Sequence, residues 1–130
     1  MTEQDIMTLL QRKRRYETEI AILRDCSDEL YEAEQTKRMN EYALLKRRLS
    51  MISHWLNYLS AEESFIVELR LIKNKSWPYI AEKIQNSSNG LLPCDERTAQ
   101  RQLDKAISKL FRFMKNRFGS SMDFLIDDTE

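Results

Sequence analysis

Residues 59–85, LSAEESFIVELRLIKNKSWPYIAEKIQ, and residues 95–112, DERTAQRQLDKAISKLFR, decide how this chain folds. Ser60-Ala61-Glu62-Glu63 has the spacing of a capping box, in which the Ser60 hydroxyl accepts from the Glu63 amide and the Glu63 carboxylate accepts from the Ser60 amide. A helix is therefore expected from about residue 61, with Phe65, Ile66, Leu69 and Ile72 on one face, fading at Lys73-Asn74-Lys75. Ser76 reads as the next cap, followed by Trp77 and Pro78 in a first turn, where a proline is tolerated. That helix is short, about Trp77 to Gln85, with Ile80, Ala81 and Ile84 facing inward. Residues 86–93 concentrate turn formers and contain Gly90 and Pro93, so they read as a loop. Asp95 caps the last helix, on which Ala99, Leu103, Ala106, Leu110, Met114 and Phe118 recur at steps of three and four until Gly119 stops it.

Upstream, Ile6, Leu9, Lys13, Tyr16, Ile20 and Leu23 follow the same stepping and predict one long helix with Lys13 as a polar intrusion. The segment 24–28 breaks the pattern, and Ser27 or Asp28 could cap a second helix, giving an antiparallel hairpin. The second helix starts through the polar residues 32–41 and then carries Tyr42, Leu45, Leu49, Ile52, Leu56 and Leu59, widened by Leu44, Met51, Trp55 and Tyr58. These stripes suit either the core of a small bundle or an intermolecular coiled coil, in which Leu45, Leu49, Ile52 and Leu56 would hold a homodimer. Arg12-Lys13-Arg14-Arg15 and Lys46-Arg47-Arg48 are interleaved with Glu17, Glu19 and Glu41, as on a solvated face. The expected fold is all-α: a helical hairpin over 1–58, a helix-turn-helix unit over 59–118 and an acidic tail over 119–130.

Composition agrees. The chain has 130 residues, with two glycines and two prolines, too few for a fold built on tight strand connections. No apolar run nears the roughly 18 residues of a membrane span, and the first residues are acidic before they are basic, the reverse of a secretory signal. A protein without membrane association, in a reducing cytoplasm, is expected, with Cys26 and Cys94 as two free thiols. The 21 basic and 21 acidic side chains cancel overall, yet residues 60–118 carry an excess of four positive charges and residues 119–130 hold four acids and no base.

Enzyme chemistry finds little support, and neither cofactor nor metal is expected. The single histidine, His54, sits beside Trp55 without a partner cysteine or serine motif, and Gly90 and Gly119 are too isolated to cradle a phosphate. Trp77 and Tyr79 could stack on a base, although a tryptophan opening a short helix is more often a core plug.

The order helix, short helix, loop, longer helix is that of a helix-turn-helix unit, whose last helix enters the major groove near its amino end. Arg97, Gln100, Arg101 and Lys105 occupy that place opposite the apolar stripe. Arginine can pair bidentately with guanine and glutamine with adenine, which suits these positions to reading bases. Lys75, Ser76, Lys83 and Thr98 suit phosphates, which set register without reading sequence. The bland alternative is an exposed helix face on which Arg101 and Lys105 pair with Asp104 or Glu96.

Ser60 to Glu63, Ile80-Ala81, Asp95-Glu96-Arg97-Thr98-Ala99-Gln100-Arg101, Ala106 and Leu110 together resemble the helix-turn-helix of bacterial sigma factor region 4. In particular they resemble the phage-encoded late-gene activators of the ArpU and RinA type. The resemblance is specific over about residues 59–112, and its loop, 86–94, is longer than the tight turn of region 4 and has room to contact DNA or a partner. It implies a sequence-specific double-stranded DNA-binding regulator of phage or prophage late genes, in the cytoplasm of a bacterial host, with RNA polymerase as a further partner. Two other readings stay open: a small terminase-like DNA-recognition subunit, and a helical module that binds a protein instead of DNA. The tail, with Phe124, Leu125 and Ile126 among its acids, could be a frayed end, or could dock on a partner or on the protein's own basic face.

Overall fold

A computed structural model describes residues 2–25, 32–87 and 95–118. Every regular element among these residues is helical, and none is long and apolar enough to cross a membrane. The elements are α1 (Glu3–Gln11), α2 (Lys13–Asp25), α3 (Glu32–Tyr58), α4 (Ala61–Val67, continued by a π turn, Glu68–Ile72), α5 (Trp77–Ser87) and α6 (Glu96–Phe118).

The expected first helix is two. Arg12, at φ −94° and ψ 6°, leaves the helical path, and α1 turns away from α2. The stripe divides accordingly: α1 buries Ile6, Leu9 and Leu10 as it packs on α6 and the π turn, while Tyr16 and Ile20 of α2 are buried as α2 packs along α3. Without a glycine or proline near Arg12, nothing in the local sequence marks the break. At the other end of α1, unread from the sequence, Thr2 and Asp5 form a capping box, Thr2 Oγ1 accepting from the Asp5 amide at 3.2 Å and Asp5 Oδ2 accepting from the Thr2 amide at 2.7 Å. The first charged cluster behaves as a solvated face, with Lys13–Glu17 at 2.8 Å and Arg15–Glu19 at 2.9 Å, but the second is corrected: Lys46 and Arg47 are exposed, whereas Arg48 is buried because its guanidinium packs over the Tyr16 ring. The expected caps at Ser27 and Asp28, Cys26, Cys94, most of the loop and the tail lie outside the described residues.

The cap at Ser60 forms as expected, with Ser60 Oγ accepting from the Glu63 amide at 3.2 Å and Glu63 Oε1 from the Ser60 amide at 2.9 Å. The same carboxylate meets Lys109 Nζ of α6 at 3.0 Å, so one side chain both starts α4 and fastens it to α6. The Ser60 amide, and then Lys109, hold the Glu63 carboxyl below the usual carboxylate range. Its folded pKa is therefore below the unfolded one: the stabilisation is complete above about pH 4.3 and is lost as pH falls through the folded value. Glu63→Gln should cost about 1 kcal/mol at neutral pH in urea denaturation, and the difference from wild type should shrink in acid. An unchanged gap at low pH would assign the loss to shape instead of charge.

The face expected from Phe65, Ile66, Leu69 and Ile72 is corrected. Phe65 is 37% exposed and Ile72 is half-buried, whereas Val67 and Leu71 join Ile66 and Leu69 inside. The reason is the π turn, in which the Lys73 amide reaches the Glu68 carbonyl five residues back at 2.8 Å and so rotates the last turn relative to an α-helix. Asn74 closes it at φ 56°, in the left-handed region that asparagine tolerates better than most residues. Helix α5 runs to Ser87, two residues beyond the expected Gln85.

One core runs through α1, α2 and α3 and the later helices, joining Ile6 and Leu10, Tyr16, Ile52 and Trp55, Ile66, and Leu103, Leu110 and Met114. A smaller cluster of Leu69, Ile80 and Ala99 seats α5 between the π turn and the start of α6, and Trp77 and Ile84 pack against both clusters. Trp77 is thus the core plug that the sequence favoured.

Within the core the Tyr16 hydroxyl is buried and finds no hydrogen-bond partner among the described residues, although the Arg48 guanidinium lies 5.3 Å from its ring centre. Tyr16→Phe keeps that ring contact and removes the unpaired hydroxyl, so stability should rise by about 1 kcal/mol. A loss of that size on urea denaturation would mean that the hydroxyl bonds to something buried with it.

Candidate nucleic-acid interface

Helix α6 is amphipathic because its apolar residues recur at three and four. Ala99, Leu103, Ala106, Leu110 and Met114 are buried, which turns Arg97, Gln100, Arg101 and Lys105 outward, and all four are exposed. Asp95 positions the start of this face by accepting from the Thr98 amide at 2.8 Å, a bond that holds the Asp95 carboxyl below its usual range. Glu96, at the positive end of the helix, is exposed too. None of Arg97, Arg101 and Lys105 is in an ion pair among the described residues, so the pairing with Asp104 or Glu96 that would mark a plain solvated face is absent there. Asp104 is also exposed, and the helical repeat sets it on the same face, about one turn beyond Arg101.

The residues expected at phosphates are placed less uniformly. Lys75, Ser76 and Lys83 are exposed at the start and along the outer side of α5, while Thr98 is half-buried and its amide is taken by Asp95. Ser76 Oγ accepts from the Tyr79 amide at 3.4 Å, which leaves its hydroxyl hydrogen free to donate. The exposed Tyr79 ring has two cations near it, its centre 5.3 Å from Lys75 Nζ and 5.4 Å from Lys83 Nζ. Two ammonium groups around one aromatic ring are a compact positive site with an apolar centre.

Arg70 was not singled out from the sequence. Its Nη1 donates to the Lys75 carbonyl at 2.9 Å and its guanidinium stacks on Trp77 at 4.7 Å, which fixes the turn that presents Lys75 and Ser76. Its i+5 and i+7 partners are reached through the turn, and no helical spacing could have pointed to them.

The residues proposed for association divide. Leu45 and Ile52 are buried by the chain itself, so they belong to its internal core, whereas Leu49 and Leu56 are only half-buried. Where α2 packs on α3, Ile22 is 55% exposed beside Leu23 and Leu44. His54 is exposed at a groove between α3 and α6. Among the described residues no group of histidine, cysteine and carboxylate side chains could hold a metal ion. No family model, curated protein or solved structure matches the chain.

Proposed function

We propose that this chain is a sequence-specific double-stranded DNA-binding regulator of transcription. The observation that carries this reading is the outer face of α6, where Arg97, Gln100, Arg101 and Lys105 are exposed and the three cations among them have no ion-pair partner among the described residues. Long donors near the amino end of a helix are what the major groove can read, and Lys75, Ser76 and Lys83 on the neighbouring helix supply phosphate contacts. Phage or prophage late genes as targets, and RNA polymerase as a second partner, come from the resemblance to ArpU and RinA-type activators. A homodimer would join through the α2–α3 hairpin at Ile22, Leu49 and Leu56 and set two such faces against half-sites about 34–36 Å apart.

The test is a duplex titration across a salt series, using fragments from around the gene itself. Affinity should fall steeply with salt and favour one fragment. Arg101→Ala should cost about 1–3 kcal/mol at a single base position, whereas Lys83→Ala should weaken every duplex alike. Binding by a ring of many subunits would favour the small terminase reading. A folded protein that ignores DNA would leave a protein-binding module.

A further inference from the structure

Two adjoining hollows, of about 520 and 620 Å³, form one groove between the carboxyl-terminal parts of α3 and α6, sharing Tyr58, Phe113 and Arg117. Its floor is aromatic: the Tyr58 and Phe113 rings stack with centroids 4.4 Å apart, and Tyr58 remains 46% exposed. Met51 and Phe118 extend the apolar surface, and the exposed Arg47, Arg112 and Arg117 stand along it. No carboxylate lines the groove among the described residues. An open apolar floor ringed by arginines fits a segment that brings apolar side chains and acids together.

Such a segment begins directly after Phe118. Residues 119–130 read GSSMDFLIDDTE, with Phe124-Leu125-Ile126 set between Asp123 and Asp127-Asp128. Five residues separate Phe118 from Phe124, and the steps between these two can span up to about 20 Å. The groove wall on α3, from Arg47 to Tyr58, is about 16 Å long at the helical rise, so the apolar triplet can reach it. Attachment to α6 also gives the segment a local concentration in the millimolar range, enough for a weak contact to be occupied. We propose that residues 122–130 dock in this groove, Phe124 and Ile126 covering the Tyr58–Phe113 pair and the acids facing Arg47, Arg112 and Arg117. The docked segment leaves the outer face of α6 open, because Arg101 and Arg117 are about 24 Å apart along the helix. It is independent of the DNA-binding reading.

The test uses the full chain with Cys26→Ser and Cys94→Ser and a nitroxide on the thiol of Thr129→Cys. Amide signals of Met51, His54, Tyr58 and Arg117 should lose intensity through paramagnetic broadening, and should regain it in Arg47→Glu/Arg117→Glu or at high salt on the otherwise unchanged chain. The salt arm keeps the result readable if the charge reversal disturbs folding. Broadening centred on Arg97, Gln100 and Arg101 would place the segment on the other face of the molecule and overturn the proposal. So would an undisturbed groove, or broadening that persists when an isotope-labelled chain without nitroxide is mixed with an unlabelled chain bearing it, since the segment would then belong to a second copy.

Discussion

Trp55→Ala should lower stability by about 3–5 kcal/mol, a large part of the roughly 5–15 kcal/mol that holds a domain together. Trp55 is fully buried on α3 in the core that joins α1, α2 and α3 to α4 and α6, and an alanine there leaves a cavity that several helices would have to collapse together to fill. Its indole Nε1 is buried with no hydrogen-bond partner among the described residues, so the ring acts by volume and not by its polar edge. Trp55→Phe should consequently lose much less, and the two variants should differ in urea midpoint while sharing one slope. A Trp55→Phe loss as large as that of alanine would show that the indole N–H matters. Equal stability of Trp55→Ala and wild type would mean that α3 and the later helices do not share a core.

The second large effect concerns DNA. Arg97→Ala/Arg101→Ala should lose about 2–6 kcal/mol of affinity for the preferred duplex, since each arginine that pairs bidentately with a guanine is worth about 1–3 kcal/mol. Both side chains are exposed, so the fold should be unaffected, and helical content with the thermal midpoint checks that. The salt dependence of the residual binding should approach that of non-specific duplex, because Lys75 and Lys83 would still be placed for phosphates. An affinity within a factor of two of wild type would remove α6 as the reading helix and with it the proposed function.

Much of this architecture was legible locally. The capping box at Ser60 and Glu63, the cap at Asp95 and the outward turn of Arg97, Gln100, Arg101 and Lys105 come from short-range spacing, and the structure forms the caps and exposes the four side chains. The Thr2–Asp5 box was as local as these. The break at Arg12 was not, because no residue there resists a helix; α1 turns where its apolar stripe finds α6 and the π turn. Nor was the outward turn of Phe65, since a single extra residue in the last turn of α4 changes which side chains of that helix meet the core.

Sequence by itself determined that this chain is helical, where most of its helices start, and which side of α6 stays in water, because caps and apolar periodicity act between residues a few positions apart. Only the tertiary structure decided which stripe meets which. Leu45 and Ile52 are buried within the chain while Leu49 and Leu56 keep part of their surface, and a three-four repeat looks the same whether its partner is another helix of the same chain or of a second one. The Arg70–Trp77 stack and the groove floored by Tyr58 and Phe113 likewise depend on residues brought together by packing, whose contacts no spacing along the chain encodes.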